Sequence, residues 1–340
     1  MNSNLLEAQK AADKFSWDEF IAINDRSPNS KGFRIFEEWK DVHEVYLPNG
    51  ENPLPWKEHA EVVITDTNQA ALEQDNLPGD LKDRRSHKIW YQTLMNEKVF
   101  EYVSCAGLYK SDRQASLDNI NLPSGSMLLK AAWREITPSE RSRFISKSAF
   151  IGIKTSGNRI AKRRTLLGLV GLHIVQKTPS APQWIWSTFE HVDNLSGNHP
   201  NFCVAGSMKD ANRQTTGSFP NRLQREERQF PNRDLDKLNE RERREWKAKR
   251  SKLQFYELIG TQWPMPRFGD KTPPQNRILV HPAVLSNITM ESFVQPTSTC
   301  MGCHASARTA RMDKYVASDF TFTFAKAQPL LKNPNQLPEP

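Results

Sequence analysis

Two cysteines and a histidine stand close together near the end of the chain, in the run Cys300-Met301-Gly302-Cys303-His304. This is the C-x-x-C-H spacing that attaches a c-type haem. Each thiol can add across one vinyl group of the porphyrin, and the two-residue gap lets both sulfurs reach the same edge. The histidine that follows is then held beneath the iron as the proximal ligand. The motif predicts one covalent haem c, with thioether bonds from Cys300 and Cys303 and an iron bond from His304.

Zinc binding and simple reduced thiols are the alternatives for these residues. A structural zinc ion takes four protein ligands, and the sequence has neither a second C-x-x-C nor an H-x-x-x-H. Both features favour haem over zinc. A chain with only 4 Cys and 8 His in 340 residues also seldom produces the motif by chance.

The sixth position of the iron decides what such a haem does. A Met or His there makes an electron carrier, and an open position permits ligand binding or catalysis. Only 36 residues follow His304, so the second side of the haem must be built mainly from the upstream chain. The candidate second ligands are His173 in an apolar run, His191 beside aromatic residues, and the two methionines that flank the motif, Met290 and Met312. For each histidine the alternative is a core residue satisfied by hydrogen bonds, and for each methionine it is core packing.

Cys105 and Cys203 are the two cysteines outside the motif. In an oxidising compartment they could form a disulfide. Two separate buried thiols are the alternative.

The charge of the chain bears on its partners. The formal net charge is +8, and residues 222–252 contribute a net +5 of it from closely mixed acidic and basic side chains. Mixed signs at this density are typical of a solvated helix or loop, so we expect no nucleic-acid partner. We expect instead a redox partner protein of acidic character. No run is long and apolar enough for a membrane span.

The first residues carry no apolar leader. Because thioether attachment takes place outside the bacterial cytoplasm, we expect an exported, periplasmic protein whose leader has been removed.

The hydrophobic pattern predicts an α+β fold with a central β-sheet region. We expect a mainly helical region at 1–97, a β-rich body at 98–270 with a charged helical insertion at about 212–252, and a haem-attachment region with a tail at 271–340. Runs rich in apolar and β-branched residues predict the strands, and these lie at 126–136, 150–153, 166–175, 183–192 and 252–263.

Shorter segments are predicted from local signals. A capping box at Ser16–Glu19 predicts the start of a helix. Residues 87–97 are predicted to be helical and residues 98–103 to be a strand, because the latter are rich in β-formers. A short helix is expected at Asn287–Val294, just before the haem motif.

Three stretches, Gly168–Thr178, Trp184–Asn194 and Asn287–His304, resemble large bacterial cytochrome-c-family proteins that carry one late haem motif. The resemblance spans most of the chain. It implies a bound haem and export, and it implies no particular reaction. Only Cys300, Cys303 and His304 match functional positions of that family.

The sequence therefore predicts an exported single-haem c-type cytochrome that transfers electrons. A haem enzyme or gas-binding protein with an open site, acting on peroxide or a nitrogen oxide, is the first alternative. The large body favours it, and the lack of a recognisable acid–base constellation disfavours it. A zinc-bound or cofactor-free binding protein is the second alternative.

Overall fold

The structure is a computed structural model. It describes residues 3–29, 32–67, 81–83, 87–155, 159–196, 199–200, 202–204, 221–222, 233–265, 279–291, 297–310 and 315–330.

Strands and helices are numbered here in chain order. The strands are β1 Lys40–Asp41, β2 Val63–Ile64, β3 Leu81–Asp83, β4 Ile89–Met95, β5 Met127–Glu135, β6 Ser146–Lys154, β7 Ile160–Thr178, β8 Ala181–His191, β9 Leu195–Ser196, β10 His199–Pro200, β11 Phe202–Val204, β12 Asn221–Arg222, β13 Tyr256–Met265 and β14 Leu279–His281. The α-helices are α1 Ser3–Asn24, α2 Val42–Val45, α3 Glu97–Cys105, α4 Ser111–Gln114, α5 Arg233–Ala248 and α6 Cys300–His304.

One large sheet organises the part of the chain that the structure describes. Its order is β1-β4-β5-β7-β8-β13-β14, and β2 pairs with β6. Strand β6 pairs with the first half of β7 on the edge opposite β5, since Leu167 and Gly168 pair with both strands. The long strand β7 makes this possible, because its first half pairs with β6 and its second half with β5. Neighbouring strands are antiparallel, apart from the parallel pair of β2 and β6. The strands of this sheet come from all three regions into which the sequence was divided.

The two faces of the sheet have different covers. Side chains alternate between faces along a strand, so Phe189 and Trp186 of β8 point to opposite sides. The face that bears Phe189 packs against α1 and α5, and we call it the helical face. Its centre is aromatic: Phe20 of α1 stacks on Phe189 with ring centroids 4.2 Å apart, and Trp17 meets the same ring edge-on at 5.2 Å.

The opposite face bears Trp186, and we call it the C-terminal face because Met301, Phe320 and Phe324 lie on it. Leu128, Val175 and Trp186 of the sheet form one buried cluster with Met301 of α6 and, from the following segment, Phe320 and Phe324. The haem motif is therefore packed directly on the sheet.

The predicted α+β class with a helical N-terminal segment and a central sheet is confirmed. The strands predicted in the body are confirmed as β5 to β8 and β13. Helix α5 lies within the predicted charged insertion at about 212–252, of which residues 212–220 and 223–232 are outside the described residues. Two neighbouring predictions are wrong: residues 89–95 form a strand, and residues 97–105 form a helix. The helix expected from Asn287 is also wrong for the residues described there, which form a turn.

Candidate haem site

The two cysteines of the motif lie on one turn of helix. Helix α6 spans Cys300–His304 and follows Thr299. Residues three apart in a helix are neighbours on one face, so Cys300 and Cys303 present their thiols to the same side. Cys303 is exposed and Cys300 half-buried, and both carry free thiols. This is the arrangement that two bonds to one porphyrin edge require.

Helix α6 is fixed to the sheet by one buried glutamine. Gln262 of β13 accepts a hydrogen bond from the backbone N–H of Met301 at 2.8 Å, and its Nε2 donates to Thr299 Oγ1 at 2.9 Å and to the carbonyl of Pro282 at 2.7 Å. The side chain of Met301 is fully buried below the helix. A short helix cannot hold its shape alone, so these contacts determine where the thiols point.

The ring of His304 is held in one tautomer. Its Nδ1 lies 2.7 Å from the carbonyl oxygen of Phe320. Because a carbonyl oxygen only accepts, Nδ1 carries the proton and the lone pair of the neutral ring lies on Nε2. Burial lowers the pKa of His304 to about 4, which keeps the ring neutral at pH 7. Donation of one ring N–H to a carbonyl also fixes the tautomer of histidines that bind metals.

The backbone that accepts this bond is held in an unusual conformation. Asp319 and Phe320 both have positive φ, 52° and 64°, which is uncommon for residues other than glycine. The Asp319 carboxylate stabilises it by accepting from Lys177 Nζ at 2.6 Å, from the N–H of Leu122 at 2.7 Å and from Trp184 Nε1 at 3.2 Å. Lys177 and Asp319 are both buried. We call Asp319, Lys177 and Trp184 the carbonyl clamp, because they fix the position of the Phe320 carbonyl.

Aromatic rings enclose His304. Its ring centroid lies 4.5 Å from that of Trp186 and 4.9 Å from that of Phe322. The Nε1–H of Trp186 is buried and has no hydrogen-bond acceptor among the described residues. An unpaired buried donor costs about 1–3 kcal/mol and calls for an explanation, such as an acceptor that the protein chain does not supply.

The donor set fits haem c. Two neighbouring thiols, a histidine with its lone pair on Nε2, aromatic packing and an unpaired donor lie within one site. Burial raises the pKa of the Cys300 thiol well above its usual value, and the negative charge of Glu291 raises it further. The described residues, those of the motif included, contain no group of three or more His, Cys, Asp or Glu side chains arranged to hold a metal ion.

His191 has the environment of a core histidine. Its Nε2 donates to the carbonyl of Arg143 at 3.1 Å, and its Nδ1 accepts from the N–H of Asp193 at 3.0 Å. The ring stacks on Phe144 at 3.9 Å. Because His191 is five residues from Trp186 along β8, it points to the helical face, away from His304. Both ring nitrogens are in use, so the structure gives this candidate no role as an iron ligand.

His173 lies on the C-terminal face with His304. Its Nε2 is 2.9 Å from Glu291 Oε1. The charges of His173, Glu291 and Lys130 all act on His304. Of the histidines considered as second ligands, this is the one that the structure brings to the haem motif.

The two methionine candidates for the second iron ligand, Met290 and Met312, are considered separately. Met290 is fully buried in a cluster with Ile89, Tyr91 and Phe144, which is separate from the cluster around Met301. Its surroundings are those of a packing residue. Met312 lies outside the described residues.

Cys105 ends α3 and carries an exposed free thiol, so the structure shows no bridge at this residue. Cys203 lies in β11, where the side chains are outside the described part. Pairing of the two in an oxidising compartment stays a prediction.

Several residues of the site carry no signal in the sequence. Gln262 and Lys177 lie in strands, and Asp319, Phe320 and Phe322 lie in a segment without a motif. They meet at His304 because the sheet and the segment after α6 pack together. The two tryptophans before His191 were visible as aromatic residues, but nothing in their spacing shows that Trp186 faces His304.

No protein-family model matches this chain, and no curated protein or solved structure is similar to it. The case for a haem site therefore comes from the chain's own residues. In the described part of the chain, none of the helices has the length and apolar character needed to cross a membrane.

Proposed function

We propose that this chain is an exported, single-haem c-type cytochrome that passes electrons to or from a redox partner of acidic character. Cys300 and Cys303 hold the haem through thioether bonds, and His304 binds the iron. The observation that carries the proposal is the hydrogen bond between His304 Nδ1 and the Phe320 carbonyl. It places the lone pair of the ring on Nε2, as an iron ligand requires, in the one residue that the motif assigns to iron.

The haem, when bound, supplies one-electron redox chemistry. The protein supplies position and environment. Gln262 and Met301 fix the helical turn that presents the thiols, and the carbonyl clamp orients His304. Trp186 and Phe322 exclude water from the sides of the imidazole, which strengthens the electrostatic effect of the Phe320 carbonyl on the ring.

Covalent haem attachment is tested by producing the chain, with an export leader, in cells that contain a c-type maturation system. We expect haem that stays with the polypeptide on a denaturing gel and gives a pyridine haemochrome spectrum of the thioether type. The Cys300→Ala, Cys303→Ala double variant should carry no covalent haem. The matched control is Cys105→Ala, which changes a cysteine outside the motif and should leave the haem content unchanged.

The same preparation distinguishes the alternatives. Wild-type protein without haem but with one equivalent of zinc would support the zinc-binding alternative and reject the proposal. Protein with neither would support a cofactor-free binding protein. Electron transfer itself predicts reversible one-electron reduction of the purified protein, and a haem that cannot be cycled would contradict it.

A further inference from the structure

Five of the strands close into a ring. Strand β6 pairs with β7, β7 with β5, and β5 with β4, while β2 pairs with the other edge of β6. Just after β2, the carbonyl of Asp66 accepts a hydrogen bond from the N–H of Tyr91 in β4 at 2.8 Å. Residues 63–66 therefore join β6 to β4, and we call β2, β4, β5, β7 and β6 the closed ring of strands.

Lys147 of β6 reaches across the inside of this closed ring. It shares its side of the strand with Ile145 and Ile151, which belong to the core cluster of the helical face. Its Nζ lies over the indole of Trp133 in β5, 4.5 Å from the centroid, and donates a hydrogen bond to Oε1 of Gln92 in β4. Along the sheet β4 is three strands away from β6, so the side chain crosses the interior to make these contacts.

The partners of Lys147 differ from those of two buried lysines, Lys40 and Lys177. Lys177 forms an ion pair with Asp319 at 2.6 Å, and Lys40 Nζ is 3.8 Å from Glu44. Within the described part of the chain, no carboxylate forms an ion pair with Lys147, whose partners are an amide oxygen and an aromatic face. An amide oxygen accepts a hydrogen bond from an ammonium ion and from a neutral amine alike, so these contacts do not require the charge.

Two carboxylates, Glu37 and Asp41, act on this amine from a distance. Glu37 accepts from the backbone N–H of Arg34 at 2.7 Å. Asp41 accepts from the backbone N–H of His43 at 2.9 Å and from its ring at 2.8 Å. Burial lowers the pKa of Lys147 to about 8, although the two carboxylates oppose this effect. At pH 7 roughly one amine in ten is therefore neutral, against fewer than about one in a thousand for an ordinary lysine.

The surroundings of Lys147 favour a neutral ligand over an anion. The negative charges of Glu37 and Asp41 would repel an anion beside Nζ. Lys147 is half-buried, so a small molecule can approach it from solvent. Lysines act as nucleophiles toward carbonyl compounds when an apolar environment keeps the amine neutral. A neutral carbonyl compound is thus the ligand class that fits.

We propose that Lys147 is a nucleophilic amine that condenses with a small neutral aldehyde to form an imine. After the ammonium ion gives a proton to solvent, the lone pair of Nζ attacks the carbonyl carbon. A C–N bond forms as the π pair of the carbonyl moves to oxygen, and a proton passes from nitrogen to that oxygen. The C–O bond then breaks, the nitrogen lone pair forms C=N, and the hydroxyl leaves as water with the second proton from nitrogen.

The test uses the full chain, benzaldehyde as the probe, and cyanoborohydride, which supplies hydride and converts the imine to a stable secondary amine. Peptide mapping by mass spectrometry locates the label and measures its rate at each amine. At pH 7 we expect Lys147 to be labelled at least about tenfold faster than Lys57, an exposed lysine, because more of its amine is neutral. The α-amine, which is also partly neutral at this pH, should be labelled too and shows that the reagents work.

Two variants test the role of the surroundings. Lys147→Arg should remove one label per chain, and the matched control Lys57→Arg should leave the labelling of Lys147 unchanged. Gln92→Glu places a carboxylate at Nζ, and an opposite charge favours the ammonium form. Labelling of Lys147 at pH 7 should then fall several-fold, and the midpoint of its pH profile should move upward from about 8.

Equal labelling rates at Lys147 and Lys57, or a pH profile for Lys147 with its midpoint near 10, would overturn the proposal. An unchanged profile in folded Gln92→Glu would also contradict it, because the amine would not lie at Gln92. The wild-type rates decide the question even where a variant does not fold. The label is read at Lys147 itself, so the result does not depend on the haem attachment proposed above.

Discussion

At the residue scale, Asp319 determines how strongly His304 is polarised, although it does not touch the histidine. It fixes the carbonyl that accepts the Nδ1 proton. A firm bond at Nδ1 makes the other nitrogen a stronger donor to the metal and favours the oxidised state. In Asp319→Asn we expect a more positive reduction potential, by roughly 40 mV if the change is worth about 1 kcal/mol. Redox titration of the haem-loaded protein measures it.

The partner of Asp319 gives the matched control. Lys177 is buried beside it, and removal of one member of a buried pair costs roughly 3–5 kcal/mol because the other stays charged and desolvated. Lys177→Met combined with Asp319→Asn should therefore be more stable than Asp319→Asn alone in denaturant unfolding. Additive losses of stability would show that the two residues do not act together.

Position 302 requires glycine because helix α6 leaves no space there for a side chain. A Cβ added there would lie 2.3 Å from Thr299 Cγ2, and the threonine cannot rotate without losing its hydrogen bond with Gln262. We expect Gly302→Ala to destabilise the protein by about 1–3 kcal/mol, as overpacking does, and to lower the fraction of chains with covalent haem. Thr299→Ser keeps the hydroxyl and removes Cγ2, so it should rescue the alanine variant. A rescue that fails would contradict the steric explanation.

His191 predicts a pH dependence of stability. Burial lowers its pKa to about 4, while in the unfolded chain it is about 6.5. Below pH 6.5 the unfolded state binds a proton that the folded state does not, so folding loses free energy as the pH falls from 6.5 to 4, by at most about 3 kcal/mol. Measured by denaturant unfolding, the free energy of unfolding of His191→Gln should fall less than that of the wild type between pH 6.5 and 4. The matched control is His59→Gln, and a wild-type-like pH slope in His191→Gln would refute the assignment.

At the element scale, the errors of sequence interpretation lie where packing overrides local pattern. Strand β4 is buried on both faces, so its apolar residues do not alternate and resemble a helix face. In α3, residues rich in β-formers are helical because Val99, Phe100 and Val103 share one buried side. Asn96 caps this helix by accepting from the N–H of Val99. The Asn96 cap is the sequence signal for this helix. The β-formers in residues 98–103 indicated a strand instead.

The capping box expected at Ser16 fails for a related reason. Helix α1 begins at Ser3, and Ser16 lies in its middle. Its hydroxyl donates to the carbonyl of Ala12 and lies 2.6 Å from Ser187 Oγ and 2.7 Å from Thr261 Oγ1. A serine that binds the sheet and a serine that caps a helix look alike in sequence, because the difference depends on residues more than 170 positions away.

The loop that carries Glu291 depends on a close approach at Gly171. A Cβ at Gly171 would lie 2.1 Å from Thr289 Oγ1, which is held by a 2.7 Å bond to Asn287. We expect Gly171→Ala to push this loop from the sheet, at a cost of about 1–3 kcal/mol. Gly260→Ala is the matched control, because its Cβ would meet only the end of Leu285, at 2.8 Å, which can rotate. Equal losses of unfolding free energy in the two variants would contradict this.

At the scale of the whole molecule, the sequence predicts the ligands of the candidate site but not its supports. Spacing alone assigns Cys300, Cys303 and His304. The residues that position these ligands lie in β7, β8, β13 and the segment after α6. They come together only once the sheet has formed. For the same reason His173 and His191 could not be ranked from the sequence, since facing His304 is a property of strand register.

The distribution of charge gives a prediction for encounters with other molecules. The net charge is +8, and much of the excess lies in residues 222–252. The described part of that segment, α5, packs on the helical face, whereas α6 lies on the other side of the sheet. The two are roughly 20 Å apart if each layer spans about 10 Å, which exceeds twice the Debye length of about 8 Å at physiological salt. Helix α5 itself has a net charge of only +1, and Lys249, Arg250 and Lys252 directly after it carry most of the described excess. Charges at this end of α5 therefore attract a partner at long range without contacting it at the haem.

Reduction by an anionic reagent should slow several-fold from low to physiological ionic strength, because a positive molecule steers anions and salt screens this attraction. A cationic reagent should speed up over the same range. Stopped-flow rates at the haem absorption band measure both.

Arg244→Gln with Lys247→Gln, on the exposed side of α5, should reduce the salt dependence at low ionic strength and leave the rate at physiological salt unchanged. A large loss of rate at physiological salt would show instead that α5 lies in the docking surface.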